Sequence, residues 1–154
     1  MQTVESSGVS KKSLWAGRII STIPVLFLLM DGIMKLFKPS FVVEATVKMG
    51  YPESTIVGIG LTLTICTIIY VIPRTSILGA ILLTGYLGGA TATHVRVEGP
   101  LFTIIFPSIV ALMIWGGLYL RDQRLRALVP FRSNAARPKA VNEPIHKIIS
   151  PALI

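Results

Sequence analysis

An acid and a base stand four positions apart inside an apolar stretch of the chain. Asp31 and Lys35 lie within LFLLMDGIMKLF, where every other residue is apolar or glycine. This spacing places both side chains on one face of a helix, where they can form an ion pair. Charges at membrane depth are costly unless paired or hydrated, and they commonly mark functional sites. Two interpretations follow: an ion pair that helps to close a helix bundle, with Lys35 extended toward the membrane surface, and the polar end of a pocket between helices.

Other polar side chains are expected at the same end of the molecule. His94 and Arg96 end a later apolar segment, and Tyr86 lies about two helical turns deeper in it. Each residue alone fits an interface position, or aromatic packing in the case of Tyr86, whereas together they favour a ligand-binding cluster. No member is assigned a catalytic role. The candidate site comprises Asp31, Lys35, Glu44, Tyr51, Tyr86, His94 and Arg96.

Residues of the types that hold metals or haem are scarce. Cys66 is the only cysteine, which excludes an intrachain disulfide, a CxxC redox pair and a cysteine-based zinc site. The two histidines, His94 and His146, do not suit the paired axial ligands of a membrane cytochrome, because His146 falls in the polar C-terminal region. No nucleophile–base pair, phosphate-binding loop or metal-ligand set is recognisable. We therefore expect no intrinsic cofactor and no metal, and a cysteine buried among apolar side chains.

Four apolar segments must position the candidate residues. Apolar residues make up 52% of the 154 residues and charged residues 14%, against about 25% charged residues in soluble domains. A segment of about 20 mostly apolar residues can span a bilayer as a helix. The segments that meet this criterion are 14–37, 54–72, 75–94 and 101–120. We predict an all-α membrane protein, an antiparallel four-helix transmembrane bundle over 14–131.

The positive charges, which give the chain a net charge of +8, lie mainly toward its two ends. With four spans, both ends share one side of the membrane with the turn at Pro73, and the side richer in Lys and Arg is usually cytoplasmic. The pattern predicts a multi-pass protein of the bacterial cytoplasmic (inner) membrane with both termini inside. Residues 1–13 are predicted to be a cytoplasmic N-terminal segment and 132–154 a disordered, basic cytoplasmic tail. Anionic lipid headgroups of the bilayer are the expected partner, and nucleic acid is not, because no basic stripe or aromatic RNA-binding motif is present.

Two further segments carry local signals. Between the first two spans, Ser40 can cap a helix, and Glu44 and Lys48 have the spacing of an ion pair, which predicts a short interfacial helix. In the third span, Gly85 and Gly89 form a GxxxG pair among other small residues. Rows of small residues let membrane helices approach closely. They favour packing of this span within its own bundle, and a homodimer through Gly85 and Gly89 is the alternative.

Several ordered motifs run through these segments. They are DGIMKLFKP, VVEATVKMGYPES, YVIPRTSILGAILLTGYLGGATATHVR and WGGLYLRDQRLRALVP. Together they resemble the DoxX-like family of small four-helix membrane proteins, over residues 14–132. The positions that match the family pattern are Asp31, Gly32, Lys35, Glu44, Gly50, Tyr51, Pro52, Pro73, Arg74, Gly85, Gly88, Gly89, His94 and Arg96. The resemblance implies a four-helix bundle that shares this polar cluster at its outer end.

The resemblance also implies a field of function. The family takes its name from a small subunit associated with a terminal quinol oxidase and thiosulfate:quinone oxidoreductase, and other relatives are proposed to act in membrane redox or detoxification assemblies. By this resemblance the chain is an accessory subunit of a quinone-linked redox system, with a quinone as ligand and redox-complex subunits as partners. Two other functions stay open: a non-enzymatic scaffold or assembly subunit, and a pathway for a small solute or protons.

Overall fold

The computed structural model of the chain describes residues 11–128. This part contains α1 (Lys11–Phe37), α2 (Ser40–Lys48), α3 (Ile56–Val71), α4 (Ser76–Arg96), α5 (Leu101–Arg121) and α6 (Gln123–Leu128), with a 3-10 turn at Glu53–Thr55 before α3. The predictions for residues 1–10, for His146 and for the tail 132–154 concern residues outside the described part.

Four of these helices are long and apolar enough to cross a membrane, which confirms the predicted spans. Their bounds are Lys11–Phe37, Glu53–Val71, Ser76–Arg96 and Leu101–Arg121. Pro24 and Pro107 lie inside α1 and α5, and both helices continue through them. The outward faces carry large exposed apolar side chains such as Leu26, Leu61 and Leu112. Such a surface is stable against lipid, because the acyl chains are as apolar as the side chains.

The four long helices pack as a ring in which α1 and α4 each contact α3 and α5. α3 and α4 form an antiparallel hairpin, in which Gly79 of α4 lies directly against the backbone of Tyr70. Tyr70 is fully buried, and its hydroxyl lies 2.9 Å from the Ile114 carbonyl oxygen and 3.1 Å from the Ser21 hydroxyl. The fold is the predicted antiparallel four-helix bundle, with a short helix between the first two spans.

The bundle has two ends that differ in packing. The α2 end is the one where α1 and α4 finish and α2 lies; the opposite end, which carries the start of α1 and all of α6, is the α6 end. Near the α6 end, a Cβ on Gly17 of α1 would lie 2.9 Å from the Gly117 carbonyl oxygen of α5. Near the α2 end, a Cβ on Gly60 of α3 would lie 2.8 Å from the Gly32 carbonyl oxygen of α1. Helix α1 therefore approaches α5 most closely at one end and α3 at the other, which leaves room beside α4 and α5 at the α2 end.

The small residues of α4 have a different role from the predicted one. A Cβ added to Gly85, Gly88 or Gly89 would meet no atom within 4 Å. Helix α4 does pack within the bundle, against α3 and α5, as predicted, but these three glycines do not bring its backbone close to another helix. Close approaches are made instead by Gly17 and Gly60 on other helices, and by Gly79 in the first turn of α4. A homodimer through Gly85 and Gly89 stays a prediction.

Helix α2 is the predicted short helix, with a difference at its start. Pro39 rather than Ser40 occupies its N-cap position, and it makes no side-chain capping hydrogen bond. Helix α2 lies within residues 38–53, here called the α2 segment, and positive φ angles at Lys38 (51°) and Gly50 (85°) turn the chain before and after the helix. Lys38 also pairs with Glu53 at 3.0 Å, which joins the two ends of this segment.

At the α6 end, Arg126 holds the end of α5. Its Nε donates to the Tyr119 carbonyl and its Nη2 to the Leu120 carbonyl, both at 2.7 Å. Nη2 also lies 2.7 Å from the hydroxyl of Ser13, which itself donates to the Leu120 carbonyl. Because the last carbonyls of a helix have no partners within it, these bonds cap α5 and connect it to α1.

Candidate functional site

A cavity of about 420 Å³ lies at the α2 end of the bundle. It is bounded by α1, α3, α4 and α5, and the α2 segment lies across its end. Its volume falls in the lower part of the range of about 300–1,000 Å³ that is usual for small-molecule sites. The lining residues are Phe27, Leu28, Asp31, Lys35, Thr46, Met49, Tyr51, Ile59, Gly85, Tyr86, Leu87, Gly89, Ala90, Thr93, His94, Phe106 and Pro107.

This cavity is polar near α2 and apolar toward the middle of the bundle. On α1, Asp31 and Lys35 lie nearer the α2 end, and Phe27 lies one turn deeper. On α4, His94 lies near the same polar end. At the deeper level the rings of Phe27 and Phe106 meet edge to face, with centroids 5.1 Å apart, and bridge α1 and α5. Such a cavity suits a molecule with a polar head and an apolar body.

The ion pair predicted within α1 is formed. Lys35 Nζ donates to Asp31 Oδ1, and the two side chains are 14% and 37% exposed, respectively. Because the lysine is the more buried partner and turns back to Asp31, the expectation that Lys35 extends toward the membrane surface is wrong. The second carboxylate oxygen of Asp31 has no hydrogen-bond partner within residues 11–128. It is therefore available to a ligand in the cavity.

Tyr86 and His94 reach the cavity from α4, across from α1. Both are half-buried, and neither side chain has a hydrogen bond to another group in the described part of the chain. Asp31 and Tyr51 line the same cavity as Tyr86. The cavity thus contains a phenol and an imidazole whose hydrogen-bonding capacity the protein leaves unused.

Tyr51 connects the α2 segment to α4. Its hydroxyl lies 2.7 Å from Thr93 Oγ1. Thr93 in turn donates to the Gly89 carbonyl at 2.9 Å. Since a hydroxyl has a single hydrogen, Tyr51 must be the donor to Thr93. The Tyr51 oxygen keeps its capacity to accept a hydrogen bond at the polar end of the cavity.

The other two predicted site residues, Arg96 and Glu44, do not line the cavity. Arg96 Nη2 donates to the Met49 carbonyl at 2.7 Å, and its guanidinium carbon lies 5.7 Å from the centroid of the Tyr51 ring. Arg96 therefore holds the end of the α2 segment across the cavity. Glu44 is exposed, and the predicted ion pair between Glu44 and Lys48 is not among those formed by the described residues.

Residues 19–117 match the model of the DoxX-like family. The chain belongs to the DoxX-like family. The match includes every residue that lines the cavity, from Phe27 to Pro107. No curated protein and no solved structure matches the chain. Family membership and the four apolar helices make this an integral, multi-pass membrane protein in contact with the lipid bilayer.

Some cavity residues were missed from the sequence. Phe27 had a usable signal, because it lies four residues before Asp31 and so on the same helix face. Thr46 is buried on α2, and a threonine in a short helix of mixed polar and apolar residues gives little indication of which face is covered. Phe106 and Thr93 had no local signal, since the relative positions of α4, α5 and the α2 segment decide whether they reach the cavity.

The chemistry that this DoxX-like site offers is binding. Within residues 11–128, no group of three or more His, Cys, Asp or Glu side chains is placed to hold a metal ion. Cys66 is buried and belongs to the apolar core. The site instead combines an ammonium, a carboxylate oxygen, the Tyr51 phenol and an imidazole toward one end with aromatic and aliphatic surface at the other, and the Tyr86 phenol lies deeper in the cavity.

Proposed function

We propose that this DoxX-like protein binds a quinone or quinol in the cavity at the α2 end and serves as an accessory subunit of a membrane redox system. The amphipathic cavity is the observation that carries the proposal. A quinone combines oxygens that accept hydrogen bonds with apolar ring faces, and its quinol form donates hydrogen bonds. A quinone ring with small substituents fits in a cavity of about 420 Å³.

Each part of such a ligand has a counterpart in the cavity. The Lys35 ammonium and the Tyr86 hydroxyl can donate to a quinone oxygen, and the second oxygen of Asp31 can accept from a quinol hydroxyl. Deeper in the cavity, Phe27 and Phe106 offer ring faces and edges for aromatic contact. Because Asp31 and Lys35 neutralise each other, the site suits an uncharged ligand.

The electrons must be exchanged with another protein. Cys66 is the only cysteine of the chain, so it cannot form a dithiol. A quinone bound in the cavity therefore needs a redox partner that delivers or accepts its electrons. The resemblance to quinone-linked subunits supports partner proteins of this kind.

A non-enzymatic scaffold is the second candidate, and the completed ion pair favours it. If Asp31 and Lys35 only satisfied each other, the cluster would be structural. However, both residues belong to α1, so their pair fastens no helix to another. A role limited to bundle closure leaves the open cavity beside the pair without explanation, and we favour ligand binding for this reason.

The test removes both charges together, with Asp31→Asn and Lys35→Met in one variant. Neither charge is then left without its partner, so we expect the bundle to fold as before. Quinone affinity, measured by titration of the purified protein in lipid nanodiscs, should fall about tenfold or more, as expected for the loss of charged hydrogen bonds. The matched control is Lys38→Met with Glu53→Gln, which removes the more exposed ion pair at the same end and should leave affinity unchanged.

Two results would contradict quinone binding: no affinity in the wild-type protein, or equal affinity in the wild type and the cavity variant. Loss of a stoichiometric membrane partner from the cavity variant, with no quinone bound to either protein, would support the scaffold instead. Each single variant, Asp31→Asn or Lys35→Met, should be less stable than the double variant, because it leaves one charge unpaired.

We also infer a bacterial cytoplasmic (inner) membrane location with both termini inside. The inference is supported by the excess of Lys and Arg on the side of the termini. Fusions after Arg132 test it: a fluorescent protein that matures only in the cytoplasm should be bright, and an alkaline phosphatase that works only outside should be inactive. The reverse pattern would overturn the orientation.

A further inference from the structure

We propose that the ligand enters the cavity sideways from the bilayer, through an opening between α3 and α4 at Gly85 and Gly89, and that it carries a hydrocarbon tail that lies in this opening. The inference rests on the proposed function and adds the class of ligand. The ligand is a tailed, membrane-dissolved quinone rather than a small water-soluble molecule.

The opening follows from the direction in which the two glycines face. Leu83 and Leu87 of α4 are buried in the core, at 0% and 5% exposure. Gly85 lies two residues from each, and at about 100° of rotation per residue it faces away from the core. Gly85 and Gly89 nevertheless line the cavity, and both are exposed. Residues that face outward and also line a cavity lie at its mouth.

The opening is on the α3 side of α4. The opposite side of α4 faces α5, where Trp115 donates to Thr84 at 2.8 Å. Thr84 and Gly88 line a separate groove there, of about 340 Å³, together with Trp115. Gly85 and Gly89 are not part of that groove. The cavity therefore reaches the outside along the other flank of α4, toward α3.

The α3–α4 hairpin is closed at its turn and open beyond it. Near the turn, Gly79 lies directly against the backbone of Tyr70. Toward the α2 end, a Cβ at Gly85 or Gly89 would meet no atom within 4 Å. Gly85 is near the middle of Ser76–Arg96, so the opening is level with the acyl chains of a bilayer rather than with the headgroups.

The route from water is covered by the α2 segment. Thr46, Met49 and Tyr51 line the polar end of the cavity. The Arg96 guanidinium donates a hydrogen bond to the Met49 carbonyl, and the Tyr51 hydroxyl is hydrogen-bonded to the Thr93 hydroxyl, each at 2.7 Å. A ligand that arrived from this side would have to break both hydrogen bonds. A ligand from the bilayer passes two glycines, which have no side chains, on the α4 side of the opening.

The position of the polar groups sets the orientation of the ligand. Asp31 and Lys35 lie toward the α2 end, so one ring oxygen points there and the side of the ring that carries the tail faces the glycine opening. A cavity of about 420 Å³ holds a ring and short substituents. A long tail therefore has to leave the cavity, and the opening at Gly85 and Gly89 leads it into the acyl chains.

The test compares two probes on the purified full chain in nanodiscs: a dimethoxy-methyl-benzoquinone with a decyl chain, and the same quinone without the chain. The double variant Gly85→Leu with Gly89→Leu fills the opening. Gly88→Leu is the matched control, because it adds the same side chain to the same helix, has equal space around its Cβ, and lies on the α5 side. Leucine is a good helix former, so these variants should fold.

We expect the decyl quinone to bind the double variant about tenfold more weakly than the wild type, as overpacking of its path predicts. The quinone without a tail should keep its affinity in the double variant, and Gly88→Leu should bind both probes like the wild type. If the double variant does not fold, Gly85→Leu and Gly89→Leu are measured separately. Each should bind the decyl quinone more weakly than the wild type, by a smaller factor, and should bind the quinone without a tail equally well.

Several outcomes overturn the inference in distinguishable ways. If the double variant lost affinity for both probes equally, or lost none for the decyl quinone, the sideways opening would be contradicted. The proposal of quinone binding would still stand. A changed oligomeric state without loss of decyl-quinone binding would make the glycines a dimer contact instead. Failure of both probes to bind the wild-type chain would remove the proposed function, and this inference with it.

Discussion

Each end of the bundle uses an arginine to hold a neighbouring segment. At the α6 end, Arg126 donates to the carbonyls of Tyr119 and Leu120 and joins α5 to α1. At the α2 end, Arg96 donates to the Met49 carbonyl and holds a short segment over a cavity. Arg126 therefore closes a packed end, whereas Arg96 covers an open one.

The tyrosines of the two ends differ in the same way. Tyr70 is fully buried, and its hydroxyl is bonded to the Ile114 carbonyl. Tyr86 is half-buried, lines the cavity, and has no hydrogen bond to another group in residues 11–128. Buried polar groups that have partners stabilise the fold, and those left without partners beside a cavity are available to a ligand.

Arg121 is an exception at the α6 end. Its Nη2 is buried without a hydrogen bond in the described part of the chain. Its guanidinium carbon lies 4.9 Å from the centroid of the Tyr70 ring. A cation–π contact of this kind offsets part of the cost of burying the charge. The α6 end is thus closed by packing around Tyr70 as well as by hydrogen bonds.

The largest expected effect is on the helix contact that closes the α6 end. A side chain at Gly117 would have its Cβ 3.0 Å from the Gly17 carbonyl oxygen. Gly117→Leu should therefore lower the free energy of unfolding by about 3 kcal/mol, measured by denaturant titration in detergent. Gly116→Leu on the same helix is the matched control, because a Cβ there meets no atom within 4 Å. Equal losses in both variants would show that α1 and α5 are not in close contact here.

The two arginines should give an effect of intermediate size. Arg126→Met removes bonds to the end of α5 and should cost about 2 kcal/mol of stability. Arg96→Met should change the stability of the bundle by less than about 0.5 kcal/mol, and should speed hydrogen exchange in 40–51. Exchange in 40–51 that stays as slow as in the wild type would mean that Arg96 does not hold the α2 segment.

The tyrosine pair should give the smallest effect on stability and the clearest separation of roles. Tyr70→Phe should cost about 1 kcal/mol of stability and leave quinone affinity unchanged, because its hydroxyl is used inside the fold. Tyr86→Phe should leave stability unchanged and weaken quinone binding by about fivefold, the loss expected for a neutral hydrogen bond. If Tyr70→Phe lost quinone affinity instead, the binding site would lie at the α6 end, and the proposed site at the α2 end would be contradicted.

The sequence by itself determined the features that depend on neighbouring residues. The lengths of the apolar segments specified four spans, because a bilayer has a fixed thickness. The short α2 helix and the Asp31–Lys35 pair also followed, since helical spacing alone brings residues four apart together. Five members of the predicted polar cluster line one cavity, and they are Asp31, Lys35, Tyr51, Tyr86 and His94.

Tertiary structure decided which glycines pack and which leave space. The GxxxG pair of Gly85 and Gly89 suggested a helix contact, yet the close approaches are between Gly17 and Gly117, between Gly32 and Gly60, and between Gly79 and Tyr70. Whether a glycine meets another backbone depends on the crossing positions of all four helices, which no single segment encodes. The same crossings direct α1 from α5 toward α3 along its length. That change of neighbour opens the cavity and exposes the unused polar groups on its wall.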